Sequence, residues 1–458
     1  MESTRAISAS YRDPAGFVIN DGGIYKRVVT LRGCADYERL MGSGLHGDLV
    51  SGGLLLDHHE EAAASSVPHG CRVLVPEQIS FISYPYEWSF DELRDAALLT
   101  LEIQQRALGR GLILKDASAY NVQFRGAKPV FIDTLSFTQY QGGPWAAYEQ
   151  FCRHFLGPLL LMRYRSPDAA HFLMAEPEGF PLERVSRLLP LRSFMRVGPL
   201  LHIHLHARAV RRQPSAGGAG RAGGAGHLSQ LIASLRSTVE QIRTPQYRAE
   251  WTDYYAEGRF YPLIAQEKKR EAVCELARLV RPKLVFDLGT NTGLYAKEVA
   301  AAGAACVAFD SDPGCVNSLY LEERGNPKMR ILPLVMDLGN PSPALGFELR
   351  STLSLFERPQ ADLVMCLALM HHLRIAGNLP LARIAEFLAK LGRWLLIEFV
   401  PLTDPAVRTL TKRQEDFEDY TLPNFLETFA GCFRLRGSRR LPGSERVLYL
   451  FERLPCAT

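Results

Sequence analysis

The C-terminal half of the chain is organised by short apolar runs set between segments of helical period. The runs occupy 283–288, 305–310, 329–337, 361–369 and 393–399. Between them, "LYAKEVAAAG" and "LPLARIAEFLAKLG" repeat apolar residues at helical spacing and end on glycine, a common C-terminal stop. Near-continuous apolar strands alternating with helices predict a parallel sheet covered on both faces. The end of the chain breaks this rhythm. "FRLRGSRRLPGSERVLYLFER" has two extended runs around Pro-Gly-Ser, which predicts an antiparallel hairpin closing the sheet. Helices are expected at roughly 229–243 and 262–280, ahead of the first strand. In the N-terminal half, "YPYEWSFDELRDAALLTLEIQQRALGRG" reads as an extended segment entering an amphipathic helix.

At 458 residues the chain is too long for one ordinary core, and two domains are expected. The boundary falls at "QPSAGGAGRAGGAGHL", residues 213–228, which has six glycines and almost nothing large. The expected division is therefore 1–212, a flexible linker over 213–228, and 229–458. A hydrophobic content of 47% with 22% charge is globular. The net charge of +4 is small for this length and gives no signal for nucleic acid. Arginine outnumbers lysine, and alanine and glycine are plentiful, as in proteins of high-GC bacteria. Nine scattered cysteines without a Cys-x-x-Cys pair argue against a disulfide framework or a structural zinc site. "MESTRAISASYRD" lacks the apolar core of a secretory signal, and "FLGPLLLM" is far too short to span a bilayer. The expectation is a soluble cytoplasmic protein with no membrane partner.

Chemistry concentrates in "LVFDLGTNTGLYAKEVAAAG", residues 284–303. Asp287 ends an apolar strand, and Gly289, Asn291 and Gly293 alternate through a turn into a helix. Gly289 and Gly293 permit close backbone approach to a ligand. Asn291 stands where nucleotide loops usually have glycine, and asparagine tolerates positive φ better than most residues. The spacing is Gly-x-Asn-x-Gly, not Gly-x-Gly-x-x-Gly, and an acid precedes it. That acid would repel a diphosphate and suits a cationic ligand. Asp310 closes the second strand, where an acid can take two ribose hydroxyls. Asp337 closes the third, within reach of an adenine amino group.

These motifs resemble class I S-adenosylmethionine-dependent methyltransferases, whose sheet is Rossmann-like. More narrowly, "DLGTNTG", "DLGNPSPALGF", "LALMHHL" and "LLIEFVPLTDP" resemble a group of bacterial methyltransferases related to host-specificity nodulation proteins. The resemblance implies S-adenosylmethionine as cofactor, held by Asp287, Gly289, Thr290, Asn291, Gly293, Asp310, Asp337 and Leu338. It implies a small-molecule or glycan methyl acceptor. His371 and His372, just past the fourth strand, are the candidate bases, with Glu398 and Asp404 behind them.

"LILKDASAYNVQFRGAKPVFIDTLSF", residues 112–137, carries a second pattern. Asp116, Asn121 and Asp133 resemble the catalytic loop and magnesium-binding segment of protein-kinase-like folds, which are α+β. The resemblance makes Asp116 the base and Asn121 and Asp133 magnesium ligands. The pattern is incomplete. "GFVINDGGIYKRVV" offers a hairpin containing Lys26 but no glycine-rich phosphate loop. Lys115 stands where arginine is usual, and Thr-Leu follows Asp133 where Phe-Gly is usual. The expectation is a degenerate domain that helps present substrate. A bifunctional methyltransferase and phosphotransferase, a non-catalytic S-adenosylmethionine sensor and a nicotinamide oxidoreductase remain as alternatives. Of the other features, His202, His204 and His206 form a weak metal pattern without a carboxylate. "DHHEE" at 57–61 reads as a solvated loop or helix start. The aromatic cluster at 250–262 suits either core or a lid.

Overall fold

The computed structural model describes residues 13–62, 72–212, 224–247, 263–326, 330–408, 410 and 417–455. Most of the glycine-rich stretch and all of the aromatic cluster at 250–262 lie outside them. The chain divides into two compact units, 1–246 with 343–353, and 247–342 with 354–458.

The first unit begins with an antiparallel sheet of order β1-β2-β4-β3, from β1 (Gly16–Asp21), β2 (Ile24–Val29), β3 (His58–Glu61) and β4 (Arg72–Pro76). Gly22 and Gly23 turn β1 into β2 with φ of 60° and 92°, which glycine accepts without strain. "DHHEE" is therefore a strand, not a loop or helix start. His58 anchors it, with Nε2 2.9 Å from the Tyr37 hydroxyl and Nδ1 3.1 Å from His46.

The amphipathic segment forms the helix Phe90–Gly109, opened by Ser89 and Glu92 in a reciprocal cap. Beyond it, β5 (Leu112–Leu114) pairs with β8 (Phe137–Gln139), and β6 (Val122–Arg125) with β7 (Lys128–Phe131). The expected boundary at 229 falls inside a helix, Ala225–Gln241. Its stripe of Leu228, Ile232, Leu235 and Val239 is buried, and Arg236 pairs with Glu102 of the helix Phe90–Gly109. The glycine-rich stretch thus ends within the first unit, because the apolar face that follows it has its partner there.

The second unit holds seven strands in the order β11-β10-β9-β12-β13-β15-β14. They are β9 (Leu284–Leu288), β10 (Ala305–Asp310), β11 (Ile331–Val335), β12 (Ala361–Cys366), β13 (Gly392–Phe399), β14 (Phe433–Arg440) and β15 (Val447–Arg453). Only β15 runs against the others. The closing hairpin is where the Pro-Gly-Ser turn places it. Alternation along β15 shows why both faces must be covered. Leu448 and Leu450 enter one core with Val273, Leu276 and Tyr295 from the helices Leu263–Val280 and Leu294–Ala301. Tyr449 and Phe451 meet Phe425 and Phe429 of the helix Leu422–Ala430, with ring centroids 5.6 and 5.9 Å apart.

Chain order reverses between β9 and β12, since β10 and β11 build outward on one side and β12 starts the other. This opens a crevice at the carboxyl ends of the strands. The turn after β9 is held by left-handed backbone at Gly289 (φ 72°), Asn291 (φ 53°) and Gly293 (φ 81°). A Cβ at Gly293 would stand 2.5 Å from Leu319 in the helix Pro313–Glu323. Helix packing and the left-handed backbone both favour glycine at this position. Gly293→Ala combines that overlap with an unfavourable φ and should cost about 2–4 kcal/mol, measured by urea unfolding of the full chain.

Candidate functional site

The crevice is a cleft of about 380 Å³ in the second unit. Gly289 and Asn291 line it after β9, Asp310 and Ser311 after β10, and Met336 to Gly339 after β11. The far wall is Leu367, Ala368, Leu369 and His372, after β12. Among the described residues, two carboxylates face this space and no lysine or arginine does. Asp310 is mostly buried and already organises the turn: Oδ2 accepts the Asn291 N–H at 2.7 Å and Oδ1 accepts the Asp312 N–H at 2.9 Å. Burial raises its pKa, and these backbone donors oppose the rise. Asp337 is exposed and folds back onto the Gly339 N–H at 2.8 Å, while Leu338 is buried beside it.

Three of the expected residues stand behind the cleft instead of lining it. Asp287 is buried, and Oδ2 accepts the Thr290 hydroxyl at 2.7 Å. Burial raises its pKa to about 6, against the opposing pull of Thr290. Thr290 and Gly293 shape the same turn from the protein side. The histidine pair is also split. His372 lines the cleft, and burial lowers its pKa, so its imidazole is neutral at pH 7. His371 is buried in the core, with ring centroids 4.4 Å apart between the two. His371 Nδ1 finds no hydrogen-bond partner among the described residues. Desolvation holds it neutral, with further pressure from His372, Arg446 and Lys269.

Glu398 and Asp404 are spoken for. Lys269 Nζ donates to Glu398 Oε2 at 2.6 Å, and Arg446 Nη1 lies 3.5 Å from Glu398 Oε1. Arg446 then holds Asp404 through Nε and Nη2 at 2.6 and 2.9 Å. Lys269, Glu398 and Arg446 are all buried. Glu398 is thus engaged by two buried cations and Asp404 by one. Ala368 escaped sequence reading altogether. It lines the cleft with φ 51°, a conformation alanine rarely adopts and nothing in the local sequence announces.

In the first unit, Asp116, Asn121 and Asp133 do come together. Asn121 Nδ2 donates to Ser136 Oγ at 3.2 Å, and Ser136 Oγ donates to Asp133 Oδ2 at 2.5 Å. Asp116 accepts the Ser118 N–H at 2.9 Å, and burial raises its pKa. Asp133, however, also accepts the Leu135 N–H and carries an ion pair from Arg27 of β2. Lys26 is turned elsewhere, onto Asp21 and Glu61 at 2.9 and 2.7 Å. The three histidines of "LHIHLH" do not converge. His202 sits between the Tyr148 and Ser234 hydroxyls, His204 between those of Ser186 and Ser193, and His206 stacks on Tyr148.

No protein-family model matches the chain. Over 460 residues it is 32% identical to the nodulation protein NoeA of Rhizobium meliloti (strain 1021), covering 98% of this chain and 96% of that one. The chain belongs to the NoeA family of nodulation proteins. Among solved structures, it is similar to magnesium protoporphyrin IX methyltransferase from Synechocystis PCC 6803 with bound S-adenosylhomocysteine. That match has 19% identity and a TM-score of 0.33, and covers 44% of this chain and 92% of the other. The N-methyltransferase NodS from Bradyrhizobium japonicum WM9 matches at 11% identity and TM-score 0.31, over 41% of this chain and 98% of NodS. The bifunctional kinase-methyltransferase WbdD matches at 18% identity and TM-score 0.30, and the match spans 45% of this chain and 42% of WbdD. The Synechocystis enzyme has also been crystallised with S-adenosylmethionine, and NodS with S-adenosylhomocysteine.

The buried ions give the site its first test. Glu398→Ala strands Lys269 and Arg446 without their shared acceptor and should destabilise the protein by about 3–5 kcal/mol, read as a lowered thermal midpoint. A variant that melts normally but loses turnover would instead return Glu398 to the list of bases.

Proposed function

We propose that the chain is an S-adenosylmethionine-dependent methyltransferase acting on a small molecule or glycan, with its cofactor in the cleft after β9. The observation that carries this reading is the cleft's charge. Asp310 and Asp337 face it, no lysine or arginine among the described residues does, and the turn beneath it is left-handed at three positions. Such a lining disfavours a diphosphate and accepts a sulfonium nucleoside. Asp310 would hold the ribose hydroxyls, using the lone pairs that its backbone donors leave free. Asp337 and Leu338 would hold the adenine, and Gly289 leaves room beside Leu369. Asp287 supports the turn through Thr290 and acts at one remove. When bound, the cofactor supplies an electrophilic methyl group. The protein's part is to orient an acceptor and take its proton, and among the described residues His372 is the one neutral imidazole lining the cleft.

The first unit, in this reading, is a kinase-like domain that has given up phosphoryl transfer and helps present the acceptor. Its support is Arg27, whose guanidinium already neutralises Asp133, the carboxylate that would otherwise hold magnesium. Full-length protein should therefore show no magnesium-dependent ATP hydrolysis above that of an Asp133→Asn variant. Turnover on the order of 1 s⁻¹ that the variant abolishes would make the protein bifunctional.

Cofactor binding is tested by calorimetry with S-adenosylhomocysteine and with NAD. The first should bind and the second should not, and the reverse would favour an oxidoreductase. Asp310→Ala should weaken the S-adenosylhomocysteine complex more than tenfold, because charge-assisted hydrogen bonds contribute about 1.5–3 kcal/mol each. Asp337→Ala is a milder companion, since Asp337 only closes its own turn.

For His372 the sign of the pH effect follows from its lowered pKa. The imidazole loses its proton below the usual histidine range, so kcat should rise with pH through a pKa under 6.5 and be level above neutrality. His372→Ala should lower kcat by about 10²-fold or more while cofactor affinity holds. An unchanged pH profile in the variant would remove His372 from the chemistry.

A further inference from the structure

Residues 181–208 put arginines and large apolar side chains together on the outside of the first unit. Five arginines and one acid, Glu183, give this stretch a formal +4, the figure for the entire chain. Leu191, Met195 and Val197 are 85%, 80% and 79% exposed. No other large apolar residues in the described structure are exposed to that degree. Arg192 and Arg196, also exposed, stand between them.

The helical segment that follows continues the pattern. Val197, Leu201 and Leu205 recur every four residues and are exposed, while Pro199, His202, Ile203 and His204 are buried. A helix packed on a protein core normally hides its apolar stripe. Here the apolar stripe faces outward and the histidines face inward, each held by a hydroxyl partner or a ring stack.

Beside this stripe lies a groove of about 430 Å³, where Met195, Arg196 and Val197 share walls with Arg163, Tyr164 and Arg243. Arg163 and Arg192 both rest over the Tyr164 ring, at 6.0 and 5.2 Å from its centroid. Arg184 and Arg187 are neutralised by Glu176 and Glu183. Arg196, Arg208 and Arg243 make no ion pair among the described residues.

We propose that this face is a peripheral docking surface for an anionic lipid bilayer. Leu191, Met195, Val197 and Leu201 enter the boundary between headgroups and acyl chains, and the unpaired arginines meet lipid phosphates. Interleaved apolar and basic side chains on one surface are what interfacial binding requires. Charge decides against a second copy of the chain as the occupant. An isologous pairing would set Arg192, Arg196 and Arg208 against their own copies across a largely apolar contact, which like-charge repulsion opposes. The surface lies on the bilayer and does not cross it, since no helix of the described residues is long and apolar enough to span one. The proposal departs from the expectation of no membrane partner. A sequence scan for spanning segments is blind to a surface assembled from alternate exposed positions.

The test is co-sedimentation of the full-length protein with vesicles of phosphatidylcholine alone, or with phosphatidylglycerol added. The anionic vesicles should pellet at least about tenfold more protein than the neutral ones, given roughly fivefold per basic residue at the surface. High salt should erase much of the difference. Leu191→Ser/Met195→Ser/Val197→Ser should abolish pelleting on both kinds of vesicle. Arg196→Gln/Arg208→Gln should remove only the anionic preference. All five positions are exposed, so these variants should melt as the parent does. Protein that stays in the supernatant with both vesicles overturns the proposal, as does pelleting that neither variant alters. A dimer in solution that the triple serine variant dissociates would also overturn it, giving the surface to a second copy.

Discussion

The ion chain from Lys269 through Glu398 and Arg446 to Asp404 is the constraint on which the second unit's site depends. It links the helix Leu263–Val280, the end of β13, the loop after it and the residue entering β15. Each charge would be expensive to bury alone, and the geometry is satisfied only when all four elements are in place. The chain therefore selects one register for the carboxyl end of the sheet, where the cleft opens. It also sets the local field. Burial holds His371 neutral, with Arg446 and Lys269 adding to it, and Lys269 also restrains the burial-driven rise in the Asp287 pKa. What faces the cleft is then left with acids and a neutral imidazole.

Much of this unit is legible in the sequence because its strands are buried on both faces. A run such as "VLYLF" has no polar residue to interrupt it, so the strands are legible from their apolar runs and the closing hairpin from its Pro-Gly-Ser turn, while their order in the sheet is not. The turn at Gly289, Asn291 and Gly293 is legible for the same kind of reason, since few residues accept its backbone. The sequence does not show which side of that turn faces the ligand. Asp287 and Gly293 stand behind the cleft and do not line it, a difference the spacing leaves open because an acid behind a turn and one in front of it read alike. The ion pairs of Glu398 and Asp404 are not legible for a related reason. Their partners, Lys269 and Arg446, are distant in sequence, and pairing across such distances leaves no local pattern.

The first unit shows the opposite balance. Asp116, Asn121 and Asp133 are evident by spacing, and the structure does bring them together. The cation that pairs with Asp133 is Arg27, which sits next to the lysine that sequence reading would choose. One residue along a strand changes the face, so Lys26 pairs with Asp21 and Glu61 while Arg27 reaches Asp133. Backbone alternation, not residue type, assigns the cation.

The first unit is also discontinuous in the chain, and this bears on how the protein is made. Its last piece, residues 343–353, is translated about a hundred residues after Gln246. Leu345 packs beside Tyr84 and Tyr86, and the Leu353 N–H donates to the Tyr84 hydroxyl at 2.7 Å. At a synthesis rate of about 5–20 residues per second, the nascent unit waits roughly 5–20 s for these contacts. During that interval the Tyr84 pocket is open, and β9, β10 and β11 leave the ribosome before their neighbours β12 and β13 exist. Half of one sheet and an unfinished first unit thus coexist on the same nascent chain, a state in which a chaperone that covers apolar strand edges would have most to protect.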